Sequence, residues 1–597
     1  MDSPDLRTSY FASIRQQHEF YIDLLMQMHR QNLTAGFDKA AFEASEHARA
    51  RSFLETLAAA RVGVREKADP SLLERERQLN DEFREKANRR MKLLQEAGPA
   101  AVEASAAAKE IDELVWQLRE LEAQIRASTI RDLTLLETQP LRLADVQQRV
   151  LDNDSVLIEY VLGEERSYVW AVTQTEISSY ELPPRAEIEA AVRKFRTLLN
   201  VNQPLPNETF EQHQARIRAA DQELPEAAAS LSDLLIGPVQ NKLGTKRLLI
   251  VPDGALYYIP FQALTVAPTA SRAERREDRT PLLVNHEIVY EPSASALAVM
   301  LKDNTRPVGQ HSVAVFANPV FEADDPRIAA APTTEPTTAS VQQTNVRDVF
   351  RDLGVSDGRV PALPASGDEA DAIISLAPWG TAFKAVGFAA NRPAVMNAEL
   401  SQYRIIHFAT HGVLDSDHPE LSGLVMSLID EKAQPQDGVV RLHDIYNLKL
   451  AANLVVLSAC NTGLGKDMKG EGLIGLTRGF MYAGAKGVVA SLWKVDDEAT
   501  AELMKRFYAG MFTQGLTPAA ALRQAQLEMW QSRRWHEPYY WAAFVIQGQY
   551  DQKEVVPSKF PLLRIIVSAS LFLFGLACVF LLIKRRHHRV SSGTMPR

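Results

Sequence analysis

A cysteine and a histidine, each at the end of an apolar run, are the residues of this chain best suited to covalent chemistry. His411 ends a run that begins at Arg404 and reads RIIHFATH, and Cys460 ends a run that begins at Leu454 and reads LVVLSAC. Short apolar runs bounded by turn residues are typical of buried strands. Because parallel strands of an open α/β sheet present their carboxyl ends to one crevice, the pattern predicts that the two residues meet there.

The chemistry of such a pair is nucleophilic attack by a thiolate. A cysteine thiol with its usual pKa of ~8.5 is mostly protonated at neutral pH, and an adjacent imidazole can take its proton. Gly412 follows the histidine directly, so we expect the backbone to turn there and to leave the Gly412 N–H free. The amides of Gly412 and Cys460 are therefore the predicted oxyanion donors.

Each residue alone also has an ordinary structural explanation. A cysteine at the end of a buried strand is commonly a small core residue, and a histidine on an apolar strand is commonly a hydrogen-bonded core residue. Their joint placement at two strand ends favours the catalytic pair. A zinc site is disfavoured, because His407, His411 and His418 are close in sequence but no second thiolate or carboxylate cluster completes a tetrahedral set. We predict neither a metal nor a cofactor.

Short motifs surround the two residues and extend upstream of them. They are VPDGALYYIPFQAL from Val251, YEPSASAL from Tyr290, LPASGDEADAI from Leu363, THG from Thr410, LSACNTG from Leu457, EGL from Glu471 and SLWKVDDEAT from Ser491. In combination they resemble the CHAT domain, a caspase-like cysteine protease fold of clan CD that is related to separase. The resemblance covers roughly residues 151 to 550. It implies a caspase-like open sheet with flanking helices, and an endopeptidase with Cys460 as nucleophile and His411 as base.

The segment from Ser491 to Asp497 is the candidate substrate pocket. Trp493 and Val495 offer an apolar wall, and Asp496 and Asp497 add two carboxylates. In separase-like and caspase-like enzymes the comparable loop borders the pocket for the residue before the cut bond, which implies a preference here for Arg or Lys. The alternative is that Asp497 or Glu498 caps the helix that begins near Ala499, while Asp496 lines the pocket.

Composition narrows the class of protein. The chain has 597 residues, enough for two to four domains, and a formal net charge of −9. An acidic balance of this kind argues against a general nucleic-acid binder, so we predict no nucleic-acid partner. The two cysteines cannot form a disulfide framework, and Cys578 lies in an apolar segment near the end of the chain.

Two helical regions precede the strands. Residues 1–65 contain helices that resemble tetratricopeptide-type helices, and we expect them to bind a protein partner or regulator. One such helix pair cannot bury its own apolar face and ~3 repeats are usually required, so the pair either docks on a later part of the chain or belongs to a longer array. The apolar pattern of residues 66–140 predicts a coiled-coil helical hairpin, whose two helices are separated at Gly98 and Pro99. From about residue 150 to 550 strands and helices alternate as in an α/β domain, interrupted by polar loops at 271–280 and 321–359.

The end of the chain predicts a membrane anchor. Leu562 to Ile583 is apolar apart from Arg564 and is long enough to span a bilayer, and a basic tail occupies 584–597. The tail favours a cytoplasmic C-terminus, whereas no signal peptide precedes the catalytic domain. We expect a single-pass membrane protein whose catalytic domain faces the cytoplasm.

Three functions are consistent with the sequence. The first is a membrane-tethered cysteine endopeptidase that cleaves protein or peptide substrates. The second is a non-catalytic scaffold that uses its helical N-terminus and its CHAT-like domain to bind other proteins. The third is another acyl-transfer hydrolase, for which the sequence offers neither a catalytic acid nor an acyl pocket. The presence of both His411 and Cys460 favours the first.

Overall fold

A computed structural model describes residues 4–61, 68–93, 100–128, 139–203, 205, 208–266, 279–302, 308–328, 360–413, 419–461 and 472–552. Its α-helices are α1 Pro4–Gln31, α2 Phe37–Arg61, α3 Pro70–Leu93, α4 Ala100–Ser128, α5 Leu143–Arg149, α6 Arg185–Leu199, α7 Phe210–Leu235, α8 Gln240–Leu243, α9 Ala294–Lys302, α10 Pro364–Leu376, α11 Arg392–Asn397, α12 Leu442–Tyr446, α13 Gly472–Tyr482, α14 Asp497–Phe512, α15 Pro518–Trp530 and α16 Pro538–Trp541. Its strands are β1 Ser155–Val161, β2 Ser167–Val172, β3 Ile177–Leu182, β4 Arg247–Val251, β5 Thr265–Val266, β6 Thr280–Pro281, β7 Ile288–Tyr290, β8 His311–Ala317, β9 Ala382–Val386, β10 Tyr403–Val413, β11 Gly423–Val425, β12 Val439–Arg441, β13 Leu454–Asn461, β14 Gly487–Ser491 and β15 Phe544–Gly548.

Thirteen of these strands form one continuous mixed sheet. Strands β9, β8, β10, β13 and β14 are mutually parallel, and β1, β4, β7 and β15 form a second parallel set. The two sets meet at β14 and β15, which pair antiparallel. The carboxyl ends of the strands in the two sets therefore lie at opposite edges of the sheet. An edge here means the side of the sheet at which strands begin and end.

The central strands are covered on both faces. β10 from Ile405 onward and all of β14 are buried, and their residues are mostly aliphatic or small. Strands buried on both faces lose the apolar–polar alternation and become nearly continuous apolar runs. This is why these segments were recognisable in the sequence.

The first helix pair packs on the sheet as part of the same core. Phe42 of α2 is fully buried against Trp170 of β2, with ring centroids 6.5 Å apart. On α1, Asp23 accepts hydrogen bonds from Arg166 at 2.8 and 2.9 Å and from the hydroxyl of Tyr168 at 2.6 Å. The helix pair therefore docks on a later part of the chain.

A buried charge cluster fixes α2 to the carboxyl ends of β1 and β4. The Arg49 guanidinium donates to the carbonyl oxygens of Pro252, at 2.8 Å, and Tyr160, and lies 3.7 Å from the carboxylate of Glu159. Three residues earlier on the helix, Glu46 accepts from the backbone N–H groups at the start of α9. This edge of the sheet is opposite the edge that carries the ends of β10 and β13.

Helices α3 and α4 form a separate helical hairpin that contacts the end of the sheet at β12. Phe83 and Ala87 of α3 pack against Ile111 and Leu114 of α4, which join the two helices along an apolar seam. The hairpin meets the segment of β12 and α12, where the Arg441 guanidinium donates to Asn88 Oδ1 at 2.6 Å.

Five predicted segments fall wholly or largely outside the described residues. They are the hairpin break at Gly98 and Pro99, the core of the loop at 271–280, most of the segment at 321–359, the apolar run Leu562 to Ile583 and the basic tail at 584–597. Within the part of the chain that the structure does describe, no helix is both long and apolar enough to cross a membrane.

Candidate active site

The nucleophile and the base predicted from the sequence lie on neighbouring parallel strands. In the register of β10 and β13, His411 is paired with Cys460. Neighbouring strands of a sheet are about 5 Å apart, so the two residues lie side by side at the same carboxyl-end edge. Sequence separation does not prevent this, because β10 and β13 are adjacent in space.

The imidazole of His411 is held by a backbone carbonyl. Its Nε2 atom lies 2.7 Å from the carbonyl oxygen of Pro361. A carbonyl oxygen can only accept, so Nε2 carries the proton and Nδ1 carries the lone pair. The ring also packs on Phe321, with centroids 5.1 Å apart. A neutral imidazole with Nδ1 as its basic atom is suited to take a proton from a thiol.

The protonation state of His411 follows from its surroundings. The side chain is almost completely buried, and burial lowers its pKa to about 4. The hydrogen bond to Pro361 opposes this shift, and the positive charge of Lys494 adds to it. The imidazole is therefore neutral at pH 7, as a general base must be.

The carbonyl that orients His411 belongs to a short segment, residues 360–365, which we call the 360–365 strap. At its start, the Val360 N–H donates to Glu322 Oε1 at 3.0 Å, and at its end the Ala365 N–H donates to Asp497 Oδ2 at 2.9 Å. The Val360 side chain is buried in an apolar cluster with Phe321, Val413, Val425 and Leu428. The sequence could not indicate Pro361 as the acceptor for His411, because the acceptor is a backbone carbonyl oxygen and every residue has one.

The two aspartates of the candidate pocket each bind the start of a different helix. Asp496 is the N-cap of α14 and accepts from the Ala499 N–H at 2.9 Å. Asp497, the first residue of α14, instead binds Ala365 at the start of α10. The capping role considered above for Asp497 or Glu498 is performed for α14 by Asp496.

Asp497 lies in an acidic environment. Burial raises its pKa to about 6, the hydrogen bond from Ala365 opposes this, and the nearby carboxylates of Glu369, Asp496 and Asp368 raise it further. The third pocket residue, Trp493, is buried, and its indole N–H donates to the carbonyl oxygen of Tyr539 at 3.2 Å.

Gly412 does not form the expected turn. It lies inside β10, paired with Leu424 of β11 on one side and with Asn461 of β13 on the other. The expectation of a turn was wrong because β11 folds back along the end of β10 and extends the strand to Val413. The oxyanion role predicted for the Gly412 amide depended on that turn and loses its basis, whereas the role of the Cys460 amide stays a prediction.

A second polar group lies beneath the pair, and the sequence analysis did not predict it. His407, four residues before His411 on β10, is fully buried, with Nε2 2.8 Å from Glu369 Oε1 and Nδ1 3.0 Å from the hydroxyl of Tyr508. The Ser458 hydroxyl, two residues before Cys460, lies 3.4 Å from the other oxygen of Glu369. Among the described residues, no group of three or more His, Cys, Asp and Glu side chains is arranged to hold a metal ion.

Comparison with known proteins agrees with the motifs. Residues 225–549 match the CHAT domain. Over 372 residues the chain is 26% identical to tetratricopeptide repeat protein 28 of Homo sapiens and 24% identical to that of Mus musculus, covering 55% of this chain in both cases. The chain spans only 13% of the length of these relatives.

Among solved structures, the chain is similar to a separase–securin complex of Saccharomyces cerevisiae, with 10% identity and a TM-score of 0.41 over 71% of this chain and 31% of that one. A second structure of that complex gives 11% identity, a TM-score of 0.39 and the same coverage. The match to the family itself extends over more than half of the residues, and the chain therefore belongs to the CHAT domain family.

Proposed function

We propose that this chain is a cysteine endopeptidase that cleaves protein or peptide substrates through Cys460 and His411. The observation that carries the proposal is the pairing of these two residues across β10 and β13, with His411 neutral and its Nε2–H bound to Pro361. A cysteine on the strand next to a neutral histidine whose other ring nitrogen is already bound favours nucleophilic acyl transfer.

In the proposed reaction, His411 Nδ1 accepts the thiol proton of Cys460, and the thiolate attacks the carbonyl carbon of the substrate. The amide of Cys460 is the proposed donor to the resulting tetrahedral oxyanion. The imidazolium then gives its proton to the leaving amine, which departs and leaves an acyl-enzyme. Water, deprotonated by His411, hydrolyses the thioester and restores the thiol.

We further propose that the carboxylate of Asp496 selects a basic side chain before the cut bond. Asp496 is only partly buried, and one of its oxygens caps α14. A carboxylate has about four acceptor positions, so capping one N–H leaves capacity for a guanidinium or an ammonium group. The proposal also includes the C-terminal anchor, Leu562 to Ile583, which would restrict the enzyme to substrates near a membrane.

A non-catalytic scaffold is the second candidate, and a feature of α1 favours it. Phe20, Tyr21, Leu24 and Met28 recur at helical spacing and are 70%, 50%, 42% and 37% exposed. An apolar stripe of this kind is typical of a helix that packs against another helix. The relatives named for tetratricopeptide repeats agree with a protein-binding role for this helix pair.

An electrophilic peptide probe separates the two candidates. A peptide with Arg or Lys at its reactive end, applied to the purified full chain, is expected to label Cys460, and the label should be lost in His411→Ala. Cys578→Ser is the matched control, because the chain has only two cysteines and this one lies outside the matched domain. Absence of labelling at Cys460 in a folded protein would favour the scaffold.

A further inference from the structure

The start of helix α10 is capped by a residue from another helix. Its own N-cap position is Leu363, whose side chain cannot accept a hydrogen bond, and no side chain of α10 caps it from within. The N–H of Ala365 is instead bound by Asp497 from the first turn of α14. The first N–H groups of a helix need acceptors and favour negative charge, so this bond fixes the start of α10.

The same bond reaches the dyad through a short covalent path. Ala365 is four residues after Pro361, and the carbonyl oxygen of Pro361 is the acceptor for His411 Nε2–H. The 360–365 strap is thus tied at one end by Glu322 and at the other by Asp497, with the histidine acceptor between the two ties. Movement of either end changes the distance and angle at Nε2.

We propose that Asp497 is a positioning residue for His411: by accepting from Ala365 it holds the strap so that Pro361 fixes the imidazole with Nδ1 as the base. In this role Asp497 acts on His411 through the strap. This inference rests on the proposed protease function for its kinetic consequence, but its structural content concerns His411 alone.

The setting of Asp497 supports a role beyond stability. Burial raises the pKa of Asp497, and the negative charges of Glu369 and Asp368 on α10 and of the preceding Asp496 raise it further. A carboxylate placed among three others is unfavourable for folding, and such placements are common at functional sites. The backbone of α10 gains an acceptor there that Leu363 does not offer.

The Ala365 N–H requires a hydrogen-bond acceptor at position 497 rather than a negative charge. Two substitutions distinguish these requirements. Asp497→Asn keeps an oxygen that can accept from Ala365, and Asp497→Ala removes it. Without the acceptor, the first turn of α10 loses its restraint, and Pro361 no longer holds Nε2–H at hydrogen-bond distance. A reacting group displaced by about 1 Å can lower a rate ~100-fold.

The direct readout is the tautomer of His411, observed by nitrogen NMR on the full chain with labelled histidine. The chain has 13 histidines, and His411→Gln assigns the signal. The parent and Asp497→Asn are expected to hold the proton on Nε2, and Asp497→Ala to show a mixture of the two tautomers. In peptide cleavage, Asp497→Ala should lower kcat about 10- to 100-fold with KM changed less than about threefold, and Asp497→Asn should restore kcat to within about threefold.

Two further variants keep the proposal testable. Thr517→Val removes a comparable side-chain cap, that of α15, and should change neither the tautomer nor kcat. Glu322→Ala loosens the other end of the strap and should reproduce the tautomer mixture if Asp497→Ala fails to fold. A single Nε2–H tautomer in both Asp497→Ala and Glu322→Ala, or equal losses of kcat in Asp497→Asn and Asp497→Ala, would overturn the proposal. Because the tautomer needs no turnover, it stands or falls separately from the protease function, which the Cys460→Ala variant tests.

Discussion

His411 on β10 is paired in register with Cys460 on β13. The Nε2–H of His411 donates to the carbonyl oxygen of Pro361, so the lone pair of the ring is on Nδ1. The imidazole is thus oriented from one side by a carbonyl oxygen, and Cys460 lies on the neighbouring strand. The strands are adjacent in the parallel part of the sheet, so the geometry depends on backbone pairing rather than on a flexible loop.

Loss of either member of this pair should abolish peptide cleavage. We expect Cys460→Ala and His411→Ala each to lower kcat by several orders of magnitude, because two groups that act as a unit lose most of the rate when either is removed. Circular dichroism and thermal unfolding should show both variants folded. Cleavage near the parent rate by either variant would contradict the assignment.

The acid limit of activity should lie well below the usual titration range of histidine. Burial lowers the pKa of His411 to about 4, and the base works only when neutral, so kcat/KM should persist as the pH falls from 7 to 5 and decline as it approaches 4. The titration of the His411 ring, followed by nitrogen NMR with labelled histidine, provides a check that needs no substrate. A midpoint near 6.5 would indicate an exposed, ordinary imidazole.

Removal of the buried cation on α2 should destabilise the whole domain. Arg49→Ala removes the cation beside buried Glu159 together with its hydrogen bonds to the carbonyl oxygens of Pro252 and Tyr160, and the loss of one partner from a buried charged cluster costs about 3–5 kcal/mol in free energy of unfolding. The double variant Arg49→Ala/Glu159→Gln should recover part of the lost free energy of unfolding. Arg30→Ala is the control, because its pair with Glu181 is largely exposed and should contribute less than about 1 kcal/mol. Urea unfolding of the four proteins measures the differences, and equal effects at Arg49 and Arg30 would argue against a buried tie.

The apolar run Leu562 to Ile583 should direct the full chain to membranes. We expect the full chain to sediment with membranes and to need detergent for extraction, whereas a version that ends at Val555 should remain in the supernatant. Replacing Leu573 and Leu576 by Arg should release the full chain, because charged side chains in the centre of a bilayer are costly. Recovery of the unaltered full chain without detergent would contradict the anchor.

Substrate choice should separate the roles of the two adjacent aspartates. In a positional-scanning peptide library, the parent should prefer Arg or Lys before the cut bond. Asp496→Asn should reduce that preference, and Asp497→Asn should keep it, because Asp497 is occupied with Ala365 at the start of α10. A parent enzyme that cuts equally well after neutral or acidic residues would leave Asp496 with only its capping role.

Some of this molecule could be predicted from the sequence because the relevant signals are local. The apolar runs before His411 and Cys460 indicated strands, since a strand buried on both faces must be apolar along its length. The helical spacing of α3 and α4 indicated a hairpin, and the motifs around the two residues indicated the family. These features depend on residues that are close together in the chain.

The tertiary structure decided what depends on distant partners. Gly412 continues a strand because β11 pairs with it, and Arg49 is buried because α2 reaches the ends of β1 and β4. Asp497 binds α10 rather than its own helix, which Asp496 already caps. An acidic residue can cap any helix start that folding brings within about 3 Å, and a carbonyl such as that of Pro361 has no side-chain identity to recognise. The sequence determined which residues could react, and the tertiary structure determined that His411 binds the carbonyl oxygen of Pro361 in a segment tied to Glu322 and Asp497.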